Sequence, residues 1–244
     1  MTSESSVPLT GKVALVSGAS AGIGEAVAAA LGRAGASVFG FARGAERLAR
    51  AEAGWKAAGI RARTAPADVS REEDVDRVVA ACLEAFGRID ILVNNAGIAA
   101  VHAVDGHPVD AWDRTIAVNL RGPFLLTRMV LPHFLRQGSG DVVNISSVAG
   151  QEPFAEMSAY CASKFGLLGF SQALAHEVRK RGVRVIAVCP GAVATSVWDG
   201  LDAGLDRGRM LQPEDVARVI VDLLLLPRRA VVDRIVLTPP EGIL

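Results

Sequence analysis

Tyr160 and Lys164 lie four residues apart in the segment SAYCASKFGLLGF. On a helix this spacing places the phenol and the ammonium group on one face, about one turn apart. A tyrosine hydroxyl has a pKa near ~10, so it exchanges protons poorly at neutral pH unless a cation stabilises its phenolate. We expect Lys164 to be that cation and to lower the pKa of Tyr160. The alternative is that the two residues form a chance pair on the surface. Other motifs in the sequence are needed to distinguish the two interpretations.

The elements that must position this pair follow a regular alternation. Apolar runs rich in Val and Ile alternate with segments of helical period, which is typical of β-α units around a parallel sheet buried on both faces. We predict strands at about 12–17, 36–41, 61–66, 89–93, 140–146, 183–189 and 234–238. Predicted helices cover about 22–34, 44–58, 71–86, 109–136, 158–181 and 213–226.

Composition limits the classes of protein that the chain can represent. With 244 residues, 50% of them hydrophobic and 21% charged, the chain can bury one large core as a single α/β domain. A formal net charge of +0 without a basic, aromatic-interleaved patch disfavours nucleic-acid binding. No apolar run reaches the ~20 residues that span a bilayer, and the polar N-terminus does not resemble a signal peptide. We therefore expect no membrane partner and a cytoplasmic protein.

Cysteine and histidine spacing argues against a disulfide framework and against a metal site. Cys161 is next to Tyr160, but no histidine in its segment could activate it as a nucleophile. We therefore interpret all these side chains as structural or solvated, and we predict no bound metal. They are Cys82, Cys161, Cys189, His102, His107, His133 and His176.

A glycine-rich segment, SGASAGIGEAVAAAL, follows the first predicted strand and leads into a helix. Glycines at Gly18, Gly22 and Gly24 permit a tight turn, and they let backbone N–H groups approach a pyrophosphate at the helix N-terminus. The spacing G-x-x-x-G-x-G differs from the commoner G-x-G-x-x-G fingerprint. Taken alone it fits either a dinucleotide site or a plain strand-to-helix turn, and its position in the first β-α unit favours the dinucleotide.

Together, these motifs resemble the short-chain dehydrogenase/reductase family. The resemblance covers nearly the whole chain and rests on Gly18-x-x-x-Gly22-x-Gly24, Asn94-Asn95-Ala96-Gly97, Asn119, Ser147 and Tyr160-x-x-x-Lys164, in this order. It implies a doubly wound, mainly parallel seven-stranded sheet with helices on both faces, a Rossmann-like single domain over residues 1–244. It also implies a nicotinamide dinucleotide and hydride transfer to or from a carbonyl or alcohol.

The end of the second strand indicates which dinucleotide is used. Ala42 stands where NAD-preferring relatives tend to carry an acid, and Arg43 offers a guanidinium suited to a 2′-phosphate. We therefore predict NADP(H) rather than NAD(H), although Arg43 could also be a solvated loop arginine. Ala21 lacks the extra basic side chain that some NADP-using relatives carry in the glycine loop.

The resemblance assigns further coenzyme contacts. Asp68 resembles the acidic residue at the adenine ring, although it could merely cap the next helix. A turn after the fourth strand should abut the adenosine and ribose, and a segment after the sixth strand should hold the nicotinamide carboxamide. The predicted contacts beyond Arg43 and Asp68 are Gly18, Ser20, Ala21, Gly22, Ile23, Gly24, Val69, Asn95, Ala96, Gly97, Tyr160, Lys164, Pro190, Gly191, Val193 and Thr195.

For the chemical step, the resemblance implies that Tyr160 donates or accepts the proton and that Ser147 hydrogen-bonds the developing alkoxide. Ser146 competes with Ser147, but neighbouring strand residues face opposite ways and the family spacing selects Ser147. By the same resemblance Lys164 bonds the nicotinamide ribose. Asn119 is expected to hold a water beside the lysine, although alone it would be an ordinary buried amide.

Residues 190–212 form an irregular stretch after a central strand, which suggests a substrate lid or an ordinary surface excursion. Apolar residues that could line a substrate pocket, or simply pack, are Phe154, Met157, Trp198, Leu201 and Leu205. The substrate itself is expected to be a small carbonyl compound or secondary alcohol.

Two other activities remain open at this point: an NAD-dependent alcohol dehydrogenase of the same family, and a cofactor-binding regulator without turnover. An epimerase or dehydratase of the extended relatives would need a longer chain. The resemblance also implies a homo-oligomer, a dimer or tetramer, paired through the helices at 109–136 and 158–181. The C-terminus VDRIVLTPPEGIL departs from the family's glycine-rich ending, which leaves the terminal subunit contacts open.

Overall fold

The structure is a computed structural model that describes residues 8–199, 206–240 and 242. Apolar runs form short strands in it, each close to its predicted place, because Val, Ile and Leu can be buried on both faces of a pleated sheet. The strands are β1 (Val13–Ser17), β2 (Ser37–Ala42), β3 (Ala62–Pro66), β4 (Ile91–Asn94), β5 (Gly140–Ile145), β6 (Val183–Pro190) and β7 (Arg234–Leu237).

The strands form one seven-stranded sheet in the order β3-β2-β1-β4-β5-β6-β7, and every neighbouring pair is parallel. From β1 the chain winds outward through β2 and β3, and it then crosses back to place β4 on the other side of β1. The order therefore reverses between β1 and β4, where open α/β sheets form a crevice at the carboxyl ends of their strands. The predicted doubly wound, Rossmann-like fold is confirmed.

Helices cover both faces of the sheet, as predicted. They are α1 (Gly22–Arg33), α2 (Ala45–Ala57), α3 (Glu72–Phe86), α4 (Val109–Ile116), α5 (Gly122–Gln137), α6 (Ser158–Val178) and α7 (Pro213–Leu225). Their ends follow local signals. Acidic residues fill the first turn of α3, Gly87 ends it at φ 77°, and a capping box between Gln212 and Asp215 starts α7.

Two apolar cores lie on opposite faces of the sheet, because side chains alternate along each strand. Ala14 and Val16 of β1 pack into the core that contains α1, α2 and α7. Val13 and Leu15 pack into the core that contains α3, α5 and α6. This double-sided burial fixes the sheet rigidly, so the loops at its carboxyl edge start from well-defined positions.

The predicted helix over 109–136 is present, but its hydrogen-bonding pattern changes in the middle, which the sequence did not predict. Residues Ala117–Arg121 form a π-helical segment between α4 and α5. A π-helical turn carries an extra residue, which displaces the backbone from the regular hydrogen-bonding register, and such turns are frequent at functional sites. Asn119 lies in the middle of this segment, where its side chain is almost fully buried.

In the part of the chain that the structure describes, no helix combines the length and apolar character needed to cross a membrane. Within the same residues, no group of three or more His, Cys, Asp or Glu side chains is placed to hold a metal ion. The three cysteines are all free and buried.

Candidate active site

The carboxyl ends of the strands open into one pocket with a volume of about 490 Å³. The segments after β1, β2, β3, β4 and β6 all contribute to its wall, as expected for a crevice at the switch point between β1 and β4. Of the predicted site residues, those that line it are Gly18, Ser20, Ala21, Gly22, Ile23, Arg43, Asp68, Val69, Asn95, Ala96, Gly97, Tyr160, Lys164 and Thr195.

The glycine loop is compact because side chains are excluded from it. Gly18 adopts φ +66°, and a Cβ added there would lie 2.7 Å from Asn95 Nδ2. A Cβ on Gly24 would lie 2.3 Å from the Gly18 carbonyl oxygen, so Gly24 packs the helix against the loop and does not line the pocket. Asn95 Nδ2 donates to the carbonyl oxygens of Ser17 and Gly18 at 3.0 and 3.2 Å.

The same loop presents the N-terminus of α1 to the pocket. Gly22 and Ile23, the first residues of α1, are part of the wall, and Ala21 in the N-cap position provides no side-chain cap. Free N–H groups and the positive end of the helix dipole favour an anionic group at this place. A bare glycine turn beside an uncapped helix start, in a pocket of this volume, fits a dinucleotide pyrophosphate.

Next to the glycine loop, the pocket wall is basic. Ala42 at the end of β2 has no carboxylate, and the exposed Arg43 and Arg47 both line the pocket. Among the described residues, no carboxylate lies within ion-pair distance of either guanidinium. Sequence reasoning missed Arg47, although its position four residues after Arg43, at the start of α2, is a signal that could have identified it.

Asp68 lines the pocket, but it does not cap the next helix, because α3 begins at Glu72 with Arg71 in the N-cap position. Asp68 Oδ1 instead accepts hydrogen bonds within the loop, from the backbone N–H and the hydroxyl of Ser70, at 3.0 and 2.6 Å. The Asp68 N–H donates to Asp74 Oδ2 at 2.8 Å, which ties the segment to α3. These bonds therefore hold the loop between β3 and α3 in place at the pocket.

Helix α6 contributes Tyr160 and Lys164 to the pocket wall. Lys164 Nζ lies 5.6 Å from the centre of the Tyr160 ring, on the same helix face, as the spacing predicts. The ammonium is buried and donates a 2.8 Å hydrogen bond to the carbonyl oxygen of Ile145 at the end of β5. Burial lowers the pKa of Lys164 to about 8, since desolvation penalises the charged form.

The expectation that Tyr160 has a lowered pKa is wrong for the protein without coenzyme. Burial of the phenol raises its pKa above the ordinary value, and a hydrogen bond with Ser147 offsets only part of this effect. The physical reason is that desolvation disfavours the phenolate more than the surrounding groups stabilise it. Lys164, itself desolvated and bonded to Ile145, contributes no comparable stabilisation.

The two adjacent serines after β5 have different environments. Ser147 hydrogen-bonds the Tyr160 side chain, and its Oγ accepts a hydrogen bond from the Ala149 N–H at 3.1 Å. Ser146 Oγ donates to the carbonyl oxygen of Lys164 at 3.2 Å. Ser146, which sequence reasoning set aside, is nevertheless the one that lines the described pocket, and Ser147 is buried beside it.

Asn119 lies outside the pocket wall, and its amide is engaged with protein groups. Nδ2 donates to the Ile98 carbonyl oxygen at 2.8 Å and to Ser163 Oγ at 3.0 Å. Oδ1 accepts from the Ile98 N–H at 2.9 Å. The predicted role of holding a water therefore cannot rest on the amide donors, since both are used.

The remaining predicted contacts lie behind the wall. Pro190 ends β6 and pairs with Leu237, the Gly191 N–H donates to Leu237 O at 2.7 Å, and Val193 is buried in the core. In contrast, several residues that line the pocket were not predicted. Apart from Arg47, they follow β2, β4 and β6, where only the position after a strand end could have identified them: Gly44, Ile98, Ala99, Ser196 and Val197.

Backbone hydrogen bonds join the two ends of the irregular stretch at 190–212. The Ala194 N–H donates to Leu211 O at 2.8 Å and the Leu211 N–H to Ala192 O at 3.0 Å, while Trp198 Nε1 donates to Val193 O at 2.8 Å. Trp198, like Phe154 and Met157, does not line the pocket. Leu201 and Leu205, also predicted as lining residues, lie outside the described residues.

Known proteins share both the sequence pattern and this fold. The family model described as short chain dehydrogenase matches residues 12–205. A D-threitol dehydrogenase of Mycolicibacterium smegmatis is 40% identical over 227 residues, with 88% of this chain and 86% of that protein covered.

Two solved structures have a similar fold. A metagenomic short-chain oxidoreductase in complex with NADP superposes with a TM-score of 0.85 at 36% identity, covering 95% of this chain and 98% of that one. A variant actinorhodin polyketide ketoreductase with NADPH also has a TM-score of 0.85, at 35% identity, covering 93% and 94% of the two chains. With a matching family model over most of its length, this chain belongs to the short-chain dehydrogenase/reductase family of oxidoreductases.

Proposed function

We propose that the protein is an NADP(H)-dependent oxidoreductase that transfers a hydride between the nicotinamide and a carbonyl compound or secondary alcohol. The observation that carries this proposal is that one pocket is lined both by groups that favour an anion and by groups that can exchange a proton. The first set includes Gly18 and Arg43, and the second consists of Tyr160 and Lys164. A coenzyme that fills such a pocket brings its redox-active ring next to the phenol.

When bound, the nicotinamide coenzyme supplies the hydride acceptor or donor. The chain's own residues then handle the proton and the oxygen. Tyr160 is the general acid or base, and Ser147, hydrogen-bonded to Tyr160, is placed to hold the oxygen of the substrate. Lys164 orients the site through its bond to Ile145 and supplies positive charge below its pKa of about 8.

The preference for NADP(H) over NAD(H) rests on charge at the end of β2. Ala42 leaves no carboxylate to bond a ribose 2′-hydroxyl or to repel a 2′-phosphate. Arg43 and Arg47 present guanidinium groups without carboxylate partners among the described residues, and such groups bind phosphate through paired N–H donors. Two similar structures, which are complexes with NADP and NADPH, support the same assignment.

Coenzyme binding tests this proposal without knowledge of the substrate. We expect NADPH to bind at least tenfold more tightly than NADH, measured by titration of nicotinamide fluorescence. Arg43→Ala and Arg47→Ala should each weaken NADPH binding and leave NADH binding nearly unchanged, since each charge-assisted bond contributes about 1.5–3 kcal/mol. Arg50→Ala, an exposed arginine of α2 outside the pocket wall, is the matched control. Equal affinity for both coenzymes would refute the NADP(H) preference.

Turnover tests the chemical assignment. A panel of ketones, aldehydes and secondary alcohols should produce net oxidation or reduction of the coenzyme, and Tyr160→Phe should abolish it while NADPH still binds. Binding without turnover on any substrate would instead indicate a cofactor-binding regulator. Substrate conversion without net coenzyme consumption would indicate an isomerase.

We also propose that residues 190–212 act as a substrate lid. Support comes from the hydrogen bonds that join the two ends of this stretch. Further support comes from Thr195, Ser196 and Val197, which belong to it and line the pocket. Trp198→Phe removes the indole N–H that bonds Val193 O. We expect this change to raise KM for the carbonyl substrate more than it changes NADPH affinity.

The assembly is proposed to be a homo-oligomer, a dimer or tetramer. Phe124 on α5 and Phe165 on α6 are 46% and 44% exposed, on the two helices that the sequence analysis named as an interface. If the two helices form an interface, association would cover these exposed aromatic side chains as one apolar surface. Light scattering after size exclusion should give a multiple of 25.5 kDa, and Phe165→Glu should lower it.

A further inference from the structure

A buried serine on α6 joins the wall of the pocket to the turn that carries Tyr160. Ser163 is fully buried, and its Oγ donates a 2.7 Å hydrogen bond to the Tyr160 carbonyl oxygen. The same Oγ accepts a 3.0 Å bond from Asn119 Nδ2. Because a carbonyl can only accept, the hydroxyl proton points to Tyr160, and a lone pair is left for Asn119.

The other bonds of Asn119 extend this contact to the opposite wall of the pocket. Its amide pairs with both the N–H and the carbonyl of Ile98, at 2.9 and 2.8 Å, and Ile98 lines the pocket. Rotating the amide by half a turn would place an oxygen against the Ile98 carbonyl, so the network fixes one orientation. The bonds therefore run continuously from Ile98 through Asn119 and Ser163 to the backbone of Tyr160.

We propose that Ser163 is a positioning residue for Tyr160. Its hydroxyl sets the distance between the Ile98 segment of the pocket wall and the first turn of α6. This distance determines how far the Tyr160 hydroxyl extends into the pocket. This inference rests on the proposed function, because it assumes that Tyr160 exchanges the proton. Misplacement of a reacting group by about 1 Å can cost on the order of 10²-fold in rate.

The chain contains a control of the same chemistry. Ser171, two turns further along α6, is also buried; its Oγ donates to Leu167 O at 2.6 Å and accepts from Asn144 Nδ2 at 2.8 Å. Neither Ser171 nor Asn144 lines the pocket. Ser163→Ala and Ser171→Ala therefore remove equivalent bonds from one helix, and only the first is connected to Tyr160.

The test compares these two variants in the full-length protein with NADPH and a carbonyl substrate found in the panel. We expect Ser163→Ala to lower kcat by roughly tenfold to a hundredfold with NADPH affinity unchanged. Ser171→Ala should lose comparable thermal stability and keep its kcat. Ser163→Thr, which keeps the hydroxyl, should recover most of the rate. Equal kcat losses in both alanine variants, or no loss in Ser163→Ala, would overturn the proposal.

A second measurement is independent of turnover. Amide hydrogen exchange at the Ile98 N–H, whose acceptor is Asn119 Oδ1, should become about tenfold faster in Ser163→Ala and stay unchanged in Ser171→Ala. Unchanged protection of the Ile98 N–H would contradict the hydrogen-bond network from Ile98 through Asn119 and Ser163. If the parent protein turned over no substrate while Ile98 still responded to Ser163→Ala, the bonded network would stand and the proposed function would fail.

Discussion

Lys164 Nζ is anchored to strand β5 by its 2.8 Å bond to the Ile145 carbonyl, and it lies 5.6 Å from the centre of the Tyr160 ring. The sheet thus holds the cation while α6 holds the phenol, so their separation depends on how α6 packs on the strands. Burial shifts both groups toward their neutral forms, since it lowers the pKa of Lys164 to about 8 and raises that of Tyr160.

The lowered pKa of Lys164 predicts a dependence of stability on pH. Between pH 8 and the ordinary lysine value of 10.5, the unfolded chain keeps a proton that the folded protein has released. The free energy of unfolding therefore rises with pH across this window, as far as Lys164 contributes. Lys164→Met lacks this contribution, so its stability relative to the parent should fall by ~2 kcal/mol from pH 7 to pH 10.

Urea unfolding of Lys164→Met and of the parent at each pH checks this. Burial also raises the pKa of the Cys82 and Cys189 thiols, to about 12 and 11, which removes stability as pH rises above the ordinary thiol value. Both proteins contain these thiols, so the contribution of Cys82 cancels in the difference between the two curves, which reports Lys164 together with its interaction with Cys189. A difference that is constant with pH would contradict the burial of a charged amine.

The direction of the Tyr160 pKa can be measured directly, because the chain contains a single tyrosine. In the coenzyme-free protein, the tyrosinate absorbance should rise with a midpoint above the ordinary value of 10.0, since burial disfavours the phenolate. Rapid mixing into alkaline buffer reads the folded state before it unfolds. Tyr160→Phe should show no tyrosinate signal, and a midpoint below 10.0 would rule out the desolvated phenol described above.

The glycine loop should tolerate no methyl group. Gly18→Ala places a Cβ 2.7 Å from Asn95 Nδ2, at a residue with φ +66°. We expect the free energy of unfolding to fall by ~2–3 kcal/mol and NADPH binding to be lost. Gly54→Ala in α2, where a Cβ meets nothing within 4 Å, should instead stabilise by ~0.5–1 kcal/mol. Thermal unfolding and coenzyme titration of both variants distinguish a steric effect from a general effect of alanine.

A buried ion pair near the amino ends of β5 and β6 should contribute to folding stability and not to coenzyme binding. Arg184 Nε donates to Asp141 Oδ1 at 2.6 Å, with side-chain exposures of 5% and 12%. Asp141→Ala leaves a buried guanidinium without its carboxylate and should cost ~3–5 kcal/mol. Glu72→Ala, which breaks the exposed pair with Arg128, should cost ~0–1 kcal/mol. Denaturant titration measures both, and NADPH affinity should be unchanged in each.

Much of the site could be predicted because its signals are local. The glycines before α1 mark a tight turn, and the spacing of Tyr160 and Lys164 puts them on one helix face whatever surrounds them. Arg47, four residues after Arg43 at the start of α2, carried a local signal as well, but the prediction did not use it. The π-helical turn at Ala117–Arg121 was missed because its segment continues an apolar helical pattern. The extra residue of this turn is accommodated by the contacts of Asn119 with Ile98 and Ser163.

By itself, then, the amino-acid order determined the alternation of strands and helices, the parallel sheet, the glycine turn and the pairing of phenol with amine. Periodicity and backbone sterics act over a few residues, so they can be inferred without coordinates. Only the tertiary structure decided the direction of the Tyr160 pKa, the partners of Asn119 and the link through Ser163. These depend on desolvation and hydrogen bonds between segments far apart in the chain, and packing alone brings such segments together.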